Sequence, residues 1–216
     1  MLIIFDCDGV LVDSELIASR ELAAYLSNLG RPTTAQECRD TFTGLSLQSV
    51  AARIHKDWGL KLPEDFLTQL RARDAHAFER DLEMIPGVGA VLDALDLGRV
   101  RYCVASSGSP EKIHHSLTIT KLLDRFDGRL FSATQVDSGK PAPDLFLFAA
   151  ARLGVEPHTC VVIEDSPAGV AGAKAAGMRV LGFTGGSHCG PGYANKLRQA
   201  DAVCTDMPSV LQALNL

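Results

Sequence analysis

The first sixteen residues, MLIIFDCDGVLVDSEL, constrain this chain more than any other stretch. An apolar run, Leu2-Ile3-Ile4-Phe5, ends in Asp6, and Cys7 separates it from Asp8 and the turn at Gly9. The run is short, β-branched and closed by glycine, which predicts a buried strand over residues 2–6. Side chains two apart on an extended chain point the same way, so Asp6 and Asp8 emerge together at the strand's carboxyl end. In open parallel α/β sheets that end is where ligands bind. Like charges ~4 Å apart repel by about 4 kcal/mol at an effective dielectric of about 20. The pair therefore calls for a shared proton, a cation or both. Mg²⁺ suits such a pair, because it prefers carboxylate and carbonyl oxygens and often arrives with a phosphate substrate.

Strand patterns recur at 2–6, 100–105, 129–132, 160–164, 179–183 and 202–204, with helical patterns between most of them. This alternation predicts an α/β fold, a Rossmann-like parallel sheet with helices on both faces. Ser14 to about Ile85 breaks it, since only helical patterns appear there. Glu15 to Leu29 carries Leu16, Ala23, Leu26 and Leu29 at helical spacing and stops at Gly30. Thr34 can cap a helix through about Thr41, with Glu37 in the capping-box position. Leu47 to Trp58 ends at Gly59, and Pro63 opens a helix to about Phe78. Four helices suit a small bundle inserted over the active end of the sheet. The expected division is a catalytic core of residues 1–13 and 86–216 and a helical cap of residues 14–85. Further helices are expected after Pro86-Gly87-Val88, over Asp144 to Leu153 and over Pro167 to Ala176.

The 216 residues suffice for one large domain or one domain with a sizeable insertion. A net charge of −5 with no dense Lys/Arg tract excludes the basic face that non-specific nucleic-acid binding needs. No apolar run approaches membrane-spanning length, and no secretory signal is visible. The six cysteines contain no Cys-x-x-Cys pair, which argues against zinc and for buried reduced thiols. A cytoplasmic monomer is the expectation.

Three more segments fit the same strand-end site. Val100 to Ala105 runs into Ser106-Ser107-Gly108-Ser109-Pro110, where a hydroxyl and free backbone N–H groups make an anion cradle. Taken alone, such a Ser/Gly/Pro stretch is an ordinary turn. Ser138-Gly139-Lys140-Pro141-Ala142-Pro143 holds one lysine in a Pro-rich loop, which favours a positioned charge. Cys160 to Ile163 is an apolar strand ending in Glu164-Asp165 and a helix start at Ser166-Pro167, where either Asp165 or Ser166 could serve merely as a helix cap.

In order, Asp6 and Asp8, Ser106, Lys140, and Glu164 with Asp165 resemble the four signature motifs of the haloacid dehalogenase superfamily. The resemblance covers essentially the whole chain. Within the superfamily the chain is similar to the β-phosphoglucomutase-like group and its 6-phosphogluconate phosphatase-like members. Phe5 to Gly9, Val12 to Glu15 and the His115-Ser116-Leu117 region carry that likeness. The resemblance implies Asp6 as nucleophile, forming an aspartyl-phosphate. It implies Asp8 as the group that protonates the leaving oxygen and then deprotonates water, with a pKa raised by neighbouring carboxylates. Mg²⁺ would be held by Asp6, the Asp8 carbonyl and Asp165, with Glu164 adjacent. Ser106 and Lys140 would hold phosphate oxygens, with Ser107 and Gly108 in the same cradle.

The implied activity is hydrolysis of a small phosphate monoester, a sugar phosphate or sugar-acid phosphate. Asp8 argues against dehalogenase and phosphonatase chemistry, whose enzymes lack the second acid. A phosphomutase is the alternative, but the positions where those enzymes carry a histidine and basic residues are here Ala18, Thr43 and Leu47. A non-catalytic binding module should have lost one of the acids or the lysine, and a structural protein leaves the strand-end groups unexplained. The loop Phe42 to Ser46, including Gly44, should face the site, and it lacks the lysines that 6-phosphogluconate phosphatases carry near Thr43 and Ser46. Glu15, Arg20 and Arg53 are its candidate polar contacts, or else ordinary solvated helix faces.

Overall fold

The computed structural model describes residues 1–216. The chain enters through strand β1 (Leu2–Phe5) and then makes four helices in succession: α1 (Glu15–Asn28), α2 (Ala35–Phe42), α3 (Leu47–Trp58) and α4 (Phe66–Asp81). It returns through α5 (Val88–Leu97) to β2 (Arg101–Ser106), α6 (Pro110–Ile119), β3 (Leu130–Ser132), α7 (Asp144–Arg152) and β4 (Cys160–Glu164). The last elements are α8 (Pro167–Ala175), β5 (Arg179–Phe183), β6 (Ala202–Cys204) and α9 (Met207–Leu214).

All six strands are parallel, in the order β3-β2-β1-β4-β5-β6. β1 lies in the middle, with Phe5 opposite Val104 on one side and Ile163 on the other. The order reverses direction at β1, which makes its carboxyl end the switch point where a crevice must open. Strand alternation sorts the core into two layers. Ile3, Phe5, Tyr102, Val104 and Ile163 pack against α5, α6 and α9, whereas Leu2, Ile4, Cys103 and Val162 pack against α7 and α8. Helices thus cover both faces, as the alternation of patterns predicts.

The segment α1–α4 has an apolar centre of its own, built on Leu26, Phe42, Ile54, Phe66 and Leu70, with Tyr25 stacked on Phe66 at 5.1 Å. It also contributes to the sheet's layer through Ile17, Ala77 and Phe78. Its entry and exit run side by side. The Asp13 N–H donates to the Glu83 carbonyl (2.9 Å), the Ile85 N–H donates to the Leu11 carbonyl (3.0 Å), and Val12 bridges Met84 in antiparallel fashion.

Several boundaries differ from the sequence expectation. α4 starts at Phe66, because Pro63-Glu64-Asp65 forms a turn closed by the Phe66 N–H on the Pro63 carbonyl. It then runs three residues past Phe78. α9 was not anticipated; it starts at a reciprocal cap between Asp206 and Ser209. All six cysteines are free, and all but Cys189 are buried. No helix is long and apolar enough to cross a membrane.

Candidate active site

The carboxyl ends of β1, β2 and β4 converge with the loop before α7. Asp6 leaves β1 with its N–H still bonded to the Ile163 carbonyl (3.0 Å), so the strand ladder itself sets its position. Glu164 is the last residue of β4, and Asp165 follows it. Both acids are buried, as is Asp6. One oxygen from each of Asp6, Glu164 and Asp165 lies within 4.8 Å of the others. Lys140 reaches this group from the Pro-rich loop, its side chain 1% exposed, with Nζ 2.8 Å from Asp6 Oδ1 and 3.3 Å from Glu164 Oε2. The Ser166 hydroxyl donates to Glu164 Oε1 (2.5 Å).

The electrostatics of this cluster are unbalanced. Three carboxylates face one ammonium, a formal deficit of two positive charges. Burial, and then mutual repulsion with Asp6, pushes Glu164 and Asp165 well above the usual carboxylate range. Burial also raises Asp6, against the pull of Lys140. Asp165 Oδ2 makes no hydrogen bond of good geometry, although His188 Nε2 lies 3.0 Å away. A hard divalent cation fits this donor set in charge, in oxygen chemistry and in span. Gly9 belongs to the same construction: at φ +78°, a Cβ there would sit 1.8 Å from Asp165 Oδ2. Only glycine lets the β1 turn pass this close to the acid.

Asp8 departs from expectation. The reading from sequence has neighbouring carboxylates raising its pKa, yet the structure lowers it. Burial does act upward, but Lys112 Nζ at 2.7 Å and the Ser14 hydroxyl at 2.6 Å outweigh it. Lys112 comes from the first turn of α6, where the helix dipole disfavours a cation. That misplacement is the one sequence signal that could have singled it out. The Asp8 carboxyl is thus paired with Lys112 and Ser14 and is not one of the Asp6–Glu164–Asp165 group.

Ser106 is buried at the end of β2 and accepts a hydrogen bond from the Gly108 N–H (3.0 Å). Above this floor lies a cavity of about 1560 Å³, bounded on the far side by α1, α3, α4 and the Thr43–Ser46 loop. Ser107 and Gly108 line it, as do Glu15 and Gly44. Gly44, at φ +79°, sits where a Cβ would press Ser166 at 2.5 Å, and its carbonyl accepts from the Ser107 hydroxyl at 3.4 Å. Burial, with Asp165 and Asp8 nearby, pushes the Glu15 carboxyl up to about 8.

Arg20 does not join this group. It projects from the outer side of α1, 60% exposed, toward Asp81 at 3.5 Å, and takes no part in lining the cavity. Arg53 is likewise exposed, bonded to Asp57 and the Thr41 carbonyl. Their positions depend on how α1 and α3 are rotated on their neighbours, which helical spacing alone left open. Asp74 and His188 were not anticipated either. Asp74 lies in the cavity wall, and His188 is fully buried behind Asp165 in the glycine-rich loop after β5.

Comparison with known proteins adds an independent line. Residues 3–183 match the model of the haloacid dehalogenase-like hydrolases. The 6-phosphogluconate phosphatase of Escherichia coli strain K12 is 33% identical over 190 residues, covering 88% of this chain and 85% of that protein. Hexitol phosphatase B of the same strain is 32% identical over 181 residues, covering 82% and 81%. A conserved haloacid dehalogenase-like protein of unknown function from Agrobacterium tumefaciens strain C58 superposes with a TM-score of 0.84 at 37% identity, covering 100% and 99% of the two chains.

Proposed function

The chain belongs to the haloacid dehalogenase-like hydrolases and is a phosphatase of that family, and from this premise we propose that it hydrolyses small sugar-phosphate or related polyol-phosphate monoesters through an aspartyl-phosphate on Asp6, with Mg²⁺ as cofactor. The observation that carries this reading is the buried cluster of Asp6, Glu164 and Asp165 around a single lysine at the sheet's switch point. Asp6 is the only carboxylate of the three that leaves the central strand, between the Ser106 cradle and the Lys140 ammonium. Its carboxylate attacks phosphorus, and the ester oxygen departs with the alcohol.

Asp8 is the group placed to exchange a proton with the leaving oxygen and with the water that cleaves the acyl phosphate. Lys112 and Ser14 favour its ionised form, so it must take up a proton, with its Lys112 ion pair released, before it can serve the leaving oxygen. Ser106 and Lys140 hold phosphate oxygens, with Ser107 and Gly108 beside them. Asp6, Glu164 and Asp165, with the Asp8 main-chain carbonyl, are the groups that would hold the cation. When bound, Mg²⁺ supplies positive charge against the carboxylates and a phosphate oxygen. Residues 14–85 act as a cap over residues 1–13 and 86–216, and the Thr43–Ser46 loop closes on Ser107 and Ser166 to exclude bulk water. Ala18, Thr43 and Leu47 line the cavity and offer no second anion site, which favours water over a second sugar as acceptor.

The test is phosphate release from a panel of hexose, hexitol and sugar-acid phosphates. Excess chelator should lower the rate by about two orders of magnitude or more, and Mg²⁺ should restore it. Full turnover in chelator would remove the metal assignment. Hexose 1-phosphate should give free sugar and phosphate by NMR, and accumulation of the 6-phosphate would establish mutase chemistry instead.

A further inference from the structure

Leu70, Asp74 and Phe78 occupy successive turns on one face of α4, at i, i+4 and i+8. The two apolar residues are each 1% exposed and the acid 7%. An aspartate on the buried stripe of an amphipathic helix is costly twice over, because it is a poor helix former and its charge loses water. Here the cost is not offset. Asp74 Oδ1 is fully buried with no hydrogen-bond partner, and the residue lines the large cavity.

The groups facing it do not complete it. Lys112 lies across the wall near the Phe78 ring, but its ammonium is engaged with Asp8 at 2.7 Å. Arg71, the α4 cation that lines the cavity, is exposed and lies near Glu111. Glu21 and Asp8 add only like charge. Burial pushes the Asp74 carboxyl up to about 7. A hydroxyl satisfies a carboxyl in either protonation state, donating to the carboxylate or accepting from the acid.

We propose that Asp74 is a specificity-determining residue that hydrogen-bonds a hydroxyl of the substrate's alcohol portion, so that the enzyme selects neutral polyhydroxy phosphates over phosphates bearing a second carboxylate. The proposal rests on the phosphatase reading above and names the substrate class within it. A substrate carboxylate brought to this wall would meet Asp74, with the Lys112 ammonium already engaged by Asp8 and Arg71 out at the exposed edge. A sugar or sugar-alcohol phosphate brings several donors to the same place.

The experiment compares kcat/KM for hexitol 6-phosphate, 6-phosphogluconate and p-nitrophenyl phosphate in wild type, Asp74→Asn and Asp74→Leu. Wild type should favour hexitol 6-phosphate over 6-phosphogluconate by tenfold or more. Asp74→Leu should lower the hexitol-to-nitrophenyl ratio about tenfold. Asp74→Asn keeps a hydrogen-bonding group without the charge, so it should retain most of that ratio and raise the relative rate on 6-phosphogluconate. Both variants should melt at or above the wild-type temperature, since each removes a buried, unsatisfied carboxyl. Unchanged ratios in Asp74→Leu, or a wild type that prefers 6-phosphogluconate, would overturn the proposal. If no ester is turned over by any variant, the phosphatase reading itself fails. Calorimetry of hexitol 6-phosphate then decides the proposal alone: weaker binding to Asp74→Leu supports it, and equal binding overturns it.

Discussion

On the sheet side of the cavity, the candidate catalytic side chains leave strand ends or, for Lys140, the loop before α7, and the Asp6 N–H is still held by the ladder bond to Ile163. Asp6, Ser106, Glu164 and Asp165 and the Lys140 side chain are buried there, with Lys140 paired to Asp6 and Glu164. On the helical side the wall includes Ala18, Thr43, Gly44, Ser46 and Leu47, small or neutral groups on helices and a loop, with Asp74, Glu15 and the exposed Arg71 as its charged members. On the proposed reading, the chemistry that every phosphate ester shares is built on the sheet, and the part that differs between esters faces a segment with an apolar centre of its own. Disturbing the first wall should abolish the reaction, and disturbing the second should redirect it.

Asp6→Asn is the sharpest break of this comparison. It should lower kcat by about a thousandfold or more on every substrate. The protein should stay folded, because removing one of several clustered charges relieves repulsion. Comparable losses on all esters, with an intact circular dichroism spectrum, are the expected result; substantial residual turnover would mean that another group attacks phosphorus.

Lys140→Met should be nearly as damaging to turnover and far more so to stability. It leaves three buried carboxylates with no counter-charge, a loss of about 3–5 kcal/mol at neutral pH. The pH dependence has a definite sign. Folded-state pKa values raised above the unfolded ones give stability that is present in acid and lost as pH rises through the folded values. The gap between wild-type and variant melting temperatures, measured without metal, should therefore widen between pH 5 and pH 8. A gap independent of pH would mean that Lys140 supports the fold by packing alone.

Thr43→Lys is the mildest intervention and acts on the other wall. A cation on that loop should raise the rate on 6-phosphogluconate relative to a neutral hexitol phosphate by about fivefold, the worth of a partly exposed ion pair. If it changed all substrates alike, the two walls would not divide the labour in this way.

The same division governs what could be read from the sequence. All six strands are legible within a residue or so, because each is a short apolar run bounded by turn residues. The groups on the sheet side are legible for the same reason: an acid or hydroxyl that ends such a run has its direction set by the strand. Helical residues carry no such address. Arg20, Lys112 and Asp74 differ in whether they face the cavity by a rotation of their helices, which long-range packing decides. The ionisation of Asp8 is not legible locally, because it depends on Lys112, more than a hundred residues along the chain and beyond four cap helices, α5 and β2. Asp74 did leave a trace, an acid in the stripe Leu70–Phe78, and the first-turn Lys112 left another. Both are violations of local rules, and both lie at the cavity.

The strap at Asp13 and Glu83 has a consequence for what the sheet can accommodate. Because those two residues share a hydrogen bond, the excursion between them begins and ends at one place. Seen from the sheet, it is a closed loop whatever it contains. The entropy of closing a loop grows only with the logarithm of its length, so doubling this one would cost about 0.6 kcal/mol. The position is therefore a socket, able to accept longer, shorter or differently folded inserts at little expense to the host. One condition attaches: whatever plugs in must supply the apolar groups that Ile17, Ala77 and Phe78 now press against the sheet's layer.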